Sequence, residues 1–184
     1  MKLRYLVVAV FTLGLLAGMG GCQRKSEEQL AQEALDRGLQ AYAAGRIDEA
    51  AAAYREVLDH DKQNKWAFYN LGVIDQASGR DQAAEYNYRL ALNVDPDFPS
   101  ALFNLAVVRF KAGSTQEAAD LYRHLVAVQP NNAAAHLNLG FALIGLGKLD
   151  EGNAEIARAV QLDPGLAQPA PIEPTGSPAA KSTP

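Results

Sequence analysis

The stretch that decides the fold is residues 99–132, PSALFNLAVVRFKAGSTQEAADLYRHLVAVQPNN. Leu102, Leu105, Ala106 and Arg109 fall at i, i+3, i+4 and i+7, the spacing of one helical face. Gly113 interrupts that pattern, and Ser114-Thr115 can start a second helix. Ala118, Tyr122, Leu125 and Val126 then restore the spacing until Pro130, which lacks an N–H and restricts the residue before it. The segment therefore reads as two helices joined by a glycine turn. Ala106 and Ala118 are small enough for the pair to approach closely, with Tyr122 filling space near the crossing.

Outward from this segment the same pattern recurs. Gly45, Gly79, Gly113 and Gly147 are each 34 residues apart. Gly38, Gly72, Ala106 and Gly140 form a second column, and Ala50, Ala84, Ala118 and Gly152 a third. Tyr54, Tyr88 and Tyr122 are followed by Ile156, while Lys62, Pro96, Pro130 and Pro164 close the units. Four units tile residues 31–64, 65–98, 99–132 and 133–166 without a gap. The expected fold class is all-α, a solenoid of four 34-residue helix-turn-helix repeats.

The columns resemble the tetratricopeptide repeat. In the second unit the family pattern is met by Phe68, Leu71-Gly72, Ala84, Tyr88, Ala91 and Pro96. The third meets it with Leu102, Leu105-Ala106, Ala118, Tyr122 and Pro130, and the fourth with His136, Leu139-Gly140, Leu143, Ala159 and Pro164. The resemblance implies a right-handed superhelix with a concave groove, and it is nearly silent on function. The family's tyrosine at position 11 is replaced by Asp75 and Arg109, which could pair across adjacent repeats. The first unit is the most degenerate, with Ala34, Arg37 and Lys62 in consensus slots, as befits an end facing water.

The flanks differ in character. Lys2 and Arg4 precede an apolar run of 12 residues, Leu6 to Ala17, too short to span a bilayer as a helix. Gly20-Gly21-Cys22 follows at once, and then the polar Gln23-Arg24-Lys25-Ser26. A charged start, an apolar run and small residues at a processing site read as a secretory signal peptide, residues 1–21. Met19-Gly20-Gly21-Cys22 resembles a bacterial lipobox, which implies a lipidated Cys22 carrying acyl chains such as palmitate. Residues 22–30 would tether it to the repeats. Residue 23 is Gln, not the Asp that retains lipoproteins at the inner membrane in enteric bacteria. The expected place is therefore the outer membrane, facing the periplasm. After the repeats, residues 167–184 are proline-rich without helical periodicity and read as a disordered tail.

Composition narrows the function. The chain has 184 residues, 48% hydrophobic and 21% charged, with a net charge of −4. That balance suits a folded domain and not a basic nucleic-acid binder. The single cysteine excludes an intrachain disulfide and a thiolate metal centre. His60, His124 and His136 occupy three different unit positions, and no HExxH, GxSxG or P-loop is present. No catalytic, metal or cofactor site is expected, and His136 is expected simply to pack in its aromatic slot.

The remaining candidate is a surface. Positions 4, 7, 8 and 11 of each first helix turn to the core, so at about 100° per residue positions 2, 5, 9, 12 and 13 point the opposite way. They hold Leu35, Leu39 and Tyr42, then Trp66, Tyr69 and Val73, then Phe103, Val107 and Phe110, then Leu137, Phe141 and Ile144. In the resembled family this face lines the groove. Part of it packs between neighbouring repeats, but a continuous apolar strip marks a partner site. Asn70, Asn104 and Asn138, again 34 apart, would either bond locally or form a ladder for a peptide backbone. The family's carboxylate clamp is absent, since Leu35, Leu39 and Ser100 stand at its positions.

The expected function is a non-catalytic scaffold of the cell envelope. It would hold an extended or helical segment of another envelope protein, in assembly of a pilus, secretion or cell-wall complex. The alternative is a glycan- or peptidoglycan-binding module, with Trp66, Tyr69 and Phe103 stacking on sugars. The fourth unit lacks a closing helix, so Ile156, Val160 and Leu162 are expected to stand in water and to invite a weak homo-oligomer.

Overall fold

The computed structural model describes residues 25–166. Cys22, the apolar run before it and residues 167–184 lie outside the described residues. Among the described residues the secondary structure is entirely helical. The helices are α1 (Glu27–Ala43), α2 (Ile47–His60), α3 (Lys65–Ala77), α4 (Asp81–Val94), α5 (Pro99–Lys111), α6 (Thr115–Val128), α7 (Ala133–Gly145) and α8 (Leu149–Leu162). A 3-10 turn, Pro164–Leu166, follows α8. Each odd helix packs on the even helix after it, and each even helix on the next odd one. The pairs thus stack in a line, with α3 also touching α5.

The glycine column stops the odd helices. Gly45, Gly79, Gly113 and Gly147 have φ between 72° and 81°, a region that costs residues with a Cβ. In each turn the glycine N–H bonds back to the third residue before it, and the next N–H reaches the carbonyl one residue earlier still: Gly79 to Gln76 and Arg80 to Asp75. All four ends are therefore Schellman motifs, which satisfy the last carbonyls. Starts are less uniform. Asn64 and Asn132 cap α3 and α7 by accepting from the Ala67 and Ala135 amides, each at 3.0 Å. Pro99 occupies the first turn of α5. Ser114-Thr115 starts α6 as expected, with Ser114 at the N-cap, although its hydroxyl accepts from Arg109 Nη2 at 2.7 Å and makes no capping bond.

Helix α1 begins at Glu27, inside the segment assigned from sequence to the tether. Ser26 and Gln29 form a capping box there. Glu27 Oε2 lies 2.6 Å from His60 Nδ1, which ties the extra turn to α2. Arg37, in a leucine slot of the family pattern, stays in solvent and pairs with Glu56 at 2.6 Å. The first unit thus ends the stack with a polar surface.

Tyr54, Tyr88 and Tyr122 are the largest fully buried side chains. A Cβ on Gly38 would lie 2.5 Å from the Tyr54 ring, and one on Gly72 2.6 Å from the Tyr88 ring. Glycine thus makes room for the ring at these two crossings, while the third unit seats Tyr122 with Ala106 in the same column. The fourth unit has Ile156 in place of the tyrosine and draws its helices closer still. A Cβ on Gly140 would meet the Gly152 carbonyl oxygen at 2.8 Å, and one on Gly152 would meet the Gly140 oxygen at 2.8 Å. Backbone cannot step aside as a side chain can. Gly152→Val is therefore expected to cost ~3 kcal/mol, at the upper end of overpacking penalties. Hydrogen exchange should show the loss confined to 133–166; unchanged protection there would refute the close crossing.

The C-terminal end meets expectation in part. Ile156, Val160 and Leu162 are half-buried, and Leu166 is too. On α8, Glu155 turns inward to His136 of α7 at 2.6 Å, while Arg158 is exposed. At this end the three apolar side chains are thus partly covered and partly in water. The exposed apolar residue of this helix is Leu149, at its start.

Candidate protein-binding face

The inner-face positions divide into two sets. Tyr42, Trp66, Phe110 and Phe141 are between 39% and 47% exposed. Leu39, from the same strip, is exposed as well. All stand on odd helices, one or more in each unit. Tyr69, Val73, Phe103, Val107, Leu137 and Ile144 are half-buried. Tyr69 and Val73 pack on the cluster around Tyr88 and Leu105, and Phe103 and Val107 on that around Tyr122 and Leu139. Leu35 packs on the first unit's core. Ile144 is turned to α8, where its Cγ1 is 2.7 Å from the place a Cβ on Gly152 would take. It belongs to the crossing of α7 and α8.

The aromatic rings interlock. Trp66 meets Phe98 edge-on with centroids 4.7 Å apart, and Tyr69 meets Phe98 at 5.3 Å and Tyr88 at 5.9 Å. Phe103 meets Tyr122 at 5.8 Å. Lys65 Nζ lies 5.7 Å from the Trp66 ring centroid and 5.2 Å from that of Phe98, while bonding Asp95 at 2.6 Å. Burial pushes the Tyr122 phenol up to about 12, and burial likewise raises Tyr88 and Tyr54. Tyr88 donates to Gln76 Oε1 at 2.7 Å, whereas the buried Tyr54 hydroxyl has no partner among the described residues.

The asparagine column does not act as one. Asn104 Nδ2 donates to the hydroxyls of Tyr69 and Tyr88, both at 3.3 Å. Asn138 Nδ2 bonds back to the Ala134 carbonyl at 2.8 Å. Asn70 is half-buried, with no side-chain bond found among the described residues. Tyr69, Phe103 and Asn104 come together with Pro99, Ser100, Gln129, Asn132 and Ala134 around a cleft of about 290 Å³. The sequence reading missed Pro99, Gln129, Asn132 and Ala134, and named Ser100 only as a position of the absent clamp. Gln129 and Asn132 stand at the junction between units, where a helical wheel does not count them. The signal available was the column Asn64, Phe98 and Asn132, directly before the starts of α3, α5 and α7.

Asp75 and Arg109 do not pair with each other. Asp75 bonds Arg80 at 2.9 Å and Asn87 at 2.8 Å. Arg109 holds Glu85 and Glu117, both at 2.7 Å, and Arg89 joins the same two carboxylates. Burial pushes the Glu117 carboxyl up, but hydrogen bonds from Arg89 and Arg109 outweigh it and hold the group below its ordinary value. Its contribution is therefore complete above the ordinary carboxylate pKa of about 4.3 and is lost as pH falls through the lower folded value. Glu117→Gln should melt earlier than the parent at neutral pH, with the gap closing toward pH ~3. A gap that stays constant in a melting series across this range would show that the network does not couple the second and third units.

The histidines stay apart. His60 faces Glu27, His124 faces Asp97 at 2.7 Å, and buried His136 lies between Glu155 (2.6 Å) and the Pro130 carbonyl (3.0 Å). His136 thus fills its aromatic slot and also carries two polar contacts. Among the described residues no group of three or more metal-ligating side chains converges. No described helix is long and apolar enough to cross a membrane.

Two family models described as tetratricopeptide repeat match the chain, one over residues 35–92 and again over 76–127, the other over 109–170. The chain belongs to the tetratricopeptide repeat family, whose stacked units present extended binding surfaces. No curated protein matches the chain. Among solved structures, MamA from Desulfovibrio magneticus is similar at 25% identity and TM-score 0.67, covering 73% of this chain and 76% of that one. YrrB, described as having an unusual peptide-binding site, is 20% identical with TM-score 0.68, over 77% of this chain and 76% of its own. The first repeat domain of Spaghetti (RPAP3), bound to an HSP90 peptide, is 23% identical with TM-score 0.62, over 66% and 97%.

Proposed function

We propose that this protein is a non-catalytic scaffold of the cell envelope that holds a segment of another envelope protein along the inner wall of its odd helices. The observation that carries this is the set Tyr42, Trp66, Phe110 and Phe141, large and exposed on four successive odd helices. Large apolar side chains left in water on one wall of every unit serve association. The peptide-binding descriptions of YrrB and Spaghetti support a peptide segment as the guest. The guest differs from a carboxylate-ended one, because Leu35, Leu39 and Ser100 replace the clamp. Assembly of a pilus, secretion or cell-wall complex is the class of task it would serve. Cross-linking in cells, followed by identification of the captured protein, tests this reading; capture of cell-wall glycan alone would overturn it.

The anchor is the second half of the proposal. Lipid on Cys22 would hold the repeats at the outer membrane, facing the periplasm, since several acyl chains on one residue anchor stably. Cys22→Ala is expected to move the protein from the membrane to the soluble fraction. A variant whose signal segment is cleaved but which stays with the membrane would refute the lipid anchor.

A further inference from the structure

We propose that the cleft between α3, α5 and α7 is occupied in the resting protein by the chain's own residues 169–178, which a partner must displace. This rests on the groove reading above and adds a built-in competitor to it.

The exit point carries the argument. Leu166 stands at the last position of its unit, as Asn132 and Phe98 do one and two units earlier. Asn132 lines the cleft, and Phe98 packs against Trp66 and Tyr69 on the same wall. The chain therefore leaves the described residues at the rim of that wall. Along the inner wall α3 touches α5, so successive odd helices stand about 10 Å apart and two units back is roughly 20 Å. Proline-rich chain advances about 3.1 Å per residue, so some six or seven residues cover that distance. Counting from Leu166, they end at Ile172–Glu173.

The chemistry at that point fits the cleft. Ile172 is the one large apolar side chain in residues 167–184, and it stands in Pro171-Ile172-Glu173-Pro174, a PxxP sequence. Such sequences dock into grooves lined by aromatic rings, with backbone carbonyls free to accept hydrogen bonds. The cleft offers the rings of Tyr69 and Phe103 and the polar groups of Ser100, Asn104 and Gln129, with no charged side chain in its lining. The segment is nearly uncharged too, with Glu173 alone between 169 and 178. A short tether supplies an effective concentration of about 1 mM, so weak docking suffices.

The test places the photo-reactive residue p-benzoylphenylalanine at position 172 of the full chain. Irradiation should link it within the same chain to 99–104 and 129–134, with a yield independent of dilution. Links only between chains, links elsewhere or no links would overturn the proposal. In a second arm, a labelled peptide of residues 167–180 is titrated against the full chain and against Pro171→Gly/Ile172→Asp/Pro174→Gly. The variant should bind it at least tenfold more tightly. Equal affinity, or no binding to either, overturns self-occupancy. The groove reading then still stands if Trp66 and Phe141 remain necessary for partner capture, and falls separately if they do not.

Discussion

Replacing Trp66 and Phe141 together by alanine is expected to abolish partner capture and to leave the helical array folded. Each ring is 47% exposed, on α3 and α7, so the free protein loses little packing when they go. Trp66 gives up one edge-on contact with Phe98, an interaction of about 1 kcal/mol. In a complex each would be desolvated at an interface, where aromatic anchors are worth ~2 kcal/mol or more. Two such losses amount to roughly a thousandfold in affinity. The contrast is Tyr69→Ala with Phe103→Ala, which the sequence alone would choose. Those rings pack on the buried clusters around Tyr88 and Tyr122, so that pair should lose fold and binding together. Circular dichroism and cross-linking yield, measured on both double variants, separate the cases. Normal capture by the Trp66/Phe141 variant would remove the groove from consideration.

Tyr88→Ala is expected to cost about 4 kcal/mol, the range for truncating a fully buried aromatic side chain. The ring lies directly under Gly72, and its hydroxyl joins Gln76 to Asn104 across two units. Truncation opens a cavity at the crossing of α3 and α4 and strips both carboxamides of a partner. Stability in a stacked array is nearly a sum of units and nearest-neighbour interfaces, so a defect in the second unit disconnects the first from the rest. A fall in melting temperature of more than about 10 °C is expected. Hydrogen exchange should place the loss in α1 to α4, with α6 to α8 still protected. A shift of only a few degrees would mean the tyrosine column is not what holds the units together.

Much of this was legible because the period is a property of the chain itself. Four glycines 34 apart mark four turns, and each turn has the positive φ that only glycine takes freely. The odd-helix face was legible by the same counting. Which of its side chains remain in water was not, since that depends on what the neighbouring unit brings. Both Tyr69 and Trp66 meet Phe98 edge-on, but Tyr69 also packs on the cluster around Tyr88 and Leu105, whereas Trp66, three positions earlier, stays exposed. The asparagines make the same point. Identical residues at identical register bond to two phenols in one unit and to a backbone carbonyl in another. Asp75 and Arg109 share a unit position yet go to different partners, because an ion pair forms with whatever charge lies within reach.

Trp66 is the sole tryptophan of the chain, and it sits on the inner wall beneath an ammonium group and beside Phe98. The indole emission of the whole protein therefore comes from one point of the candidate binding surface. An occupant that excludes water from that point shifts the emission to shorter wavelength, and one that draws Lys65 away changes its intensity. The molecule thus carries its own optical gauge of whether the wall is covered, readable without a label and without knowing the partner in advance.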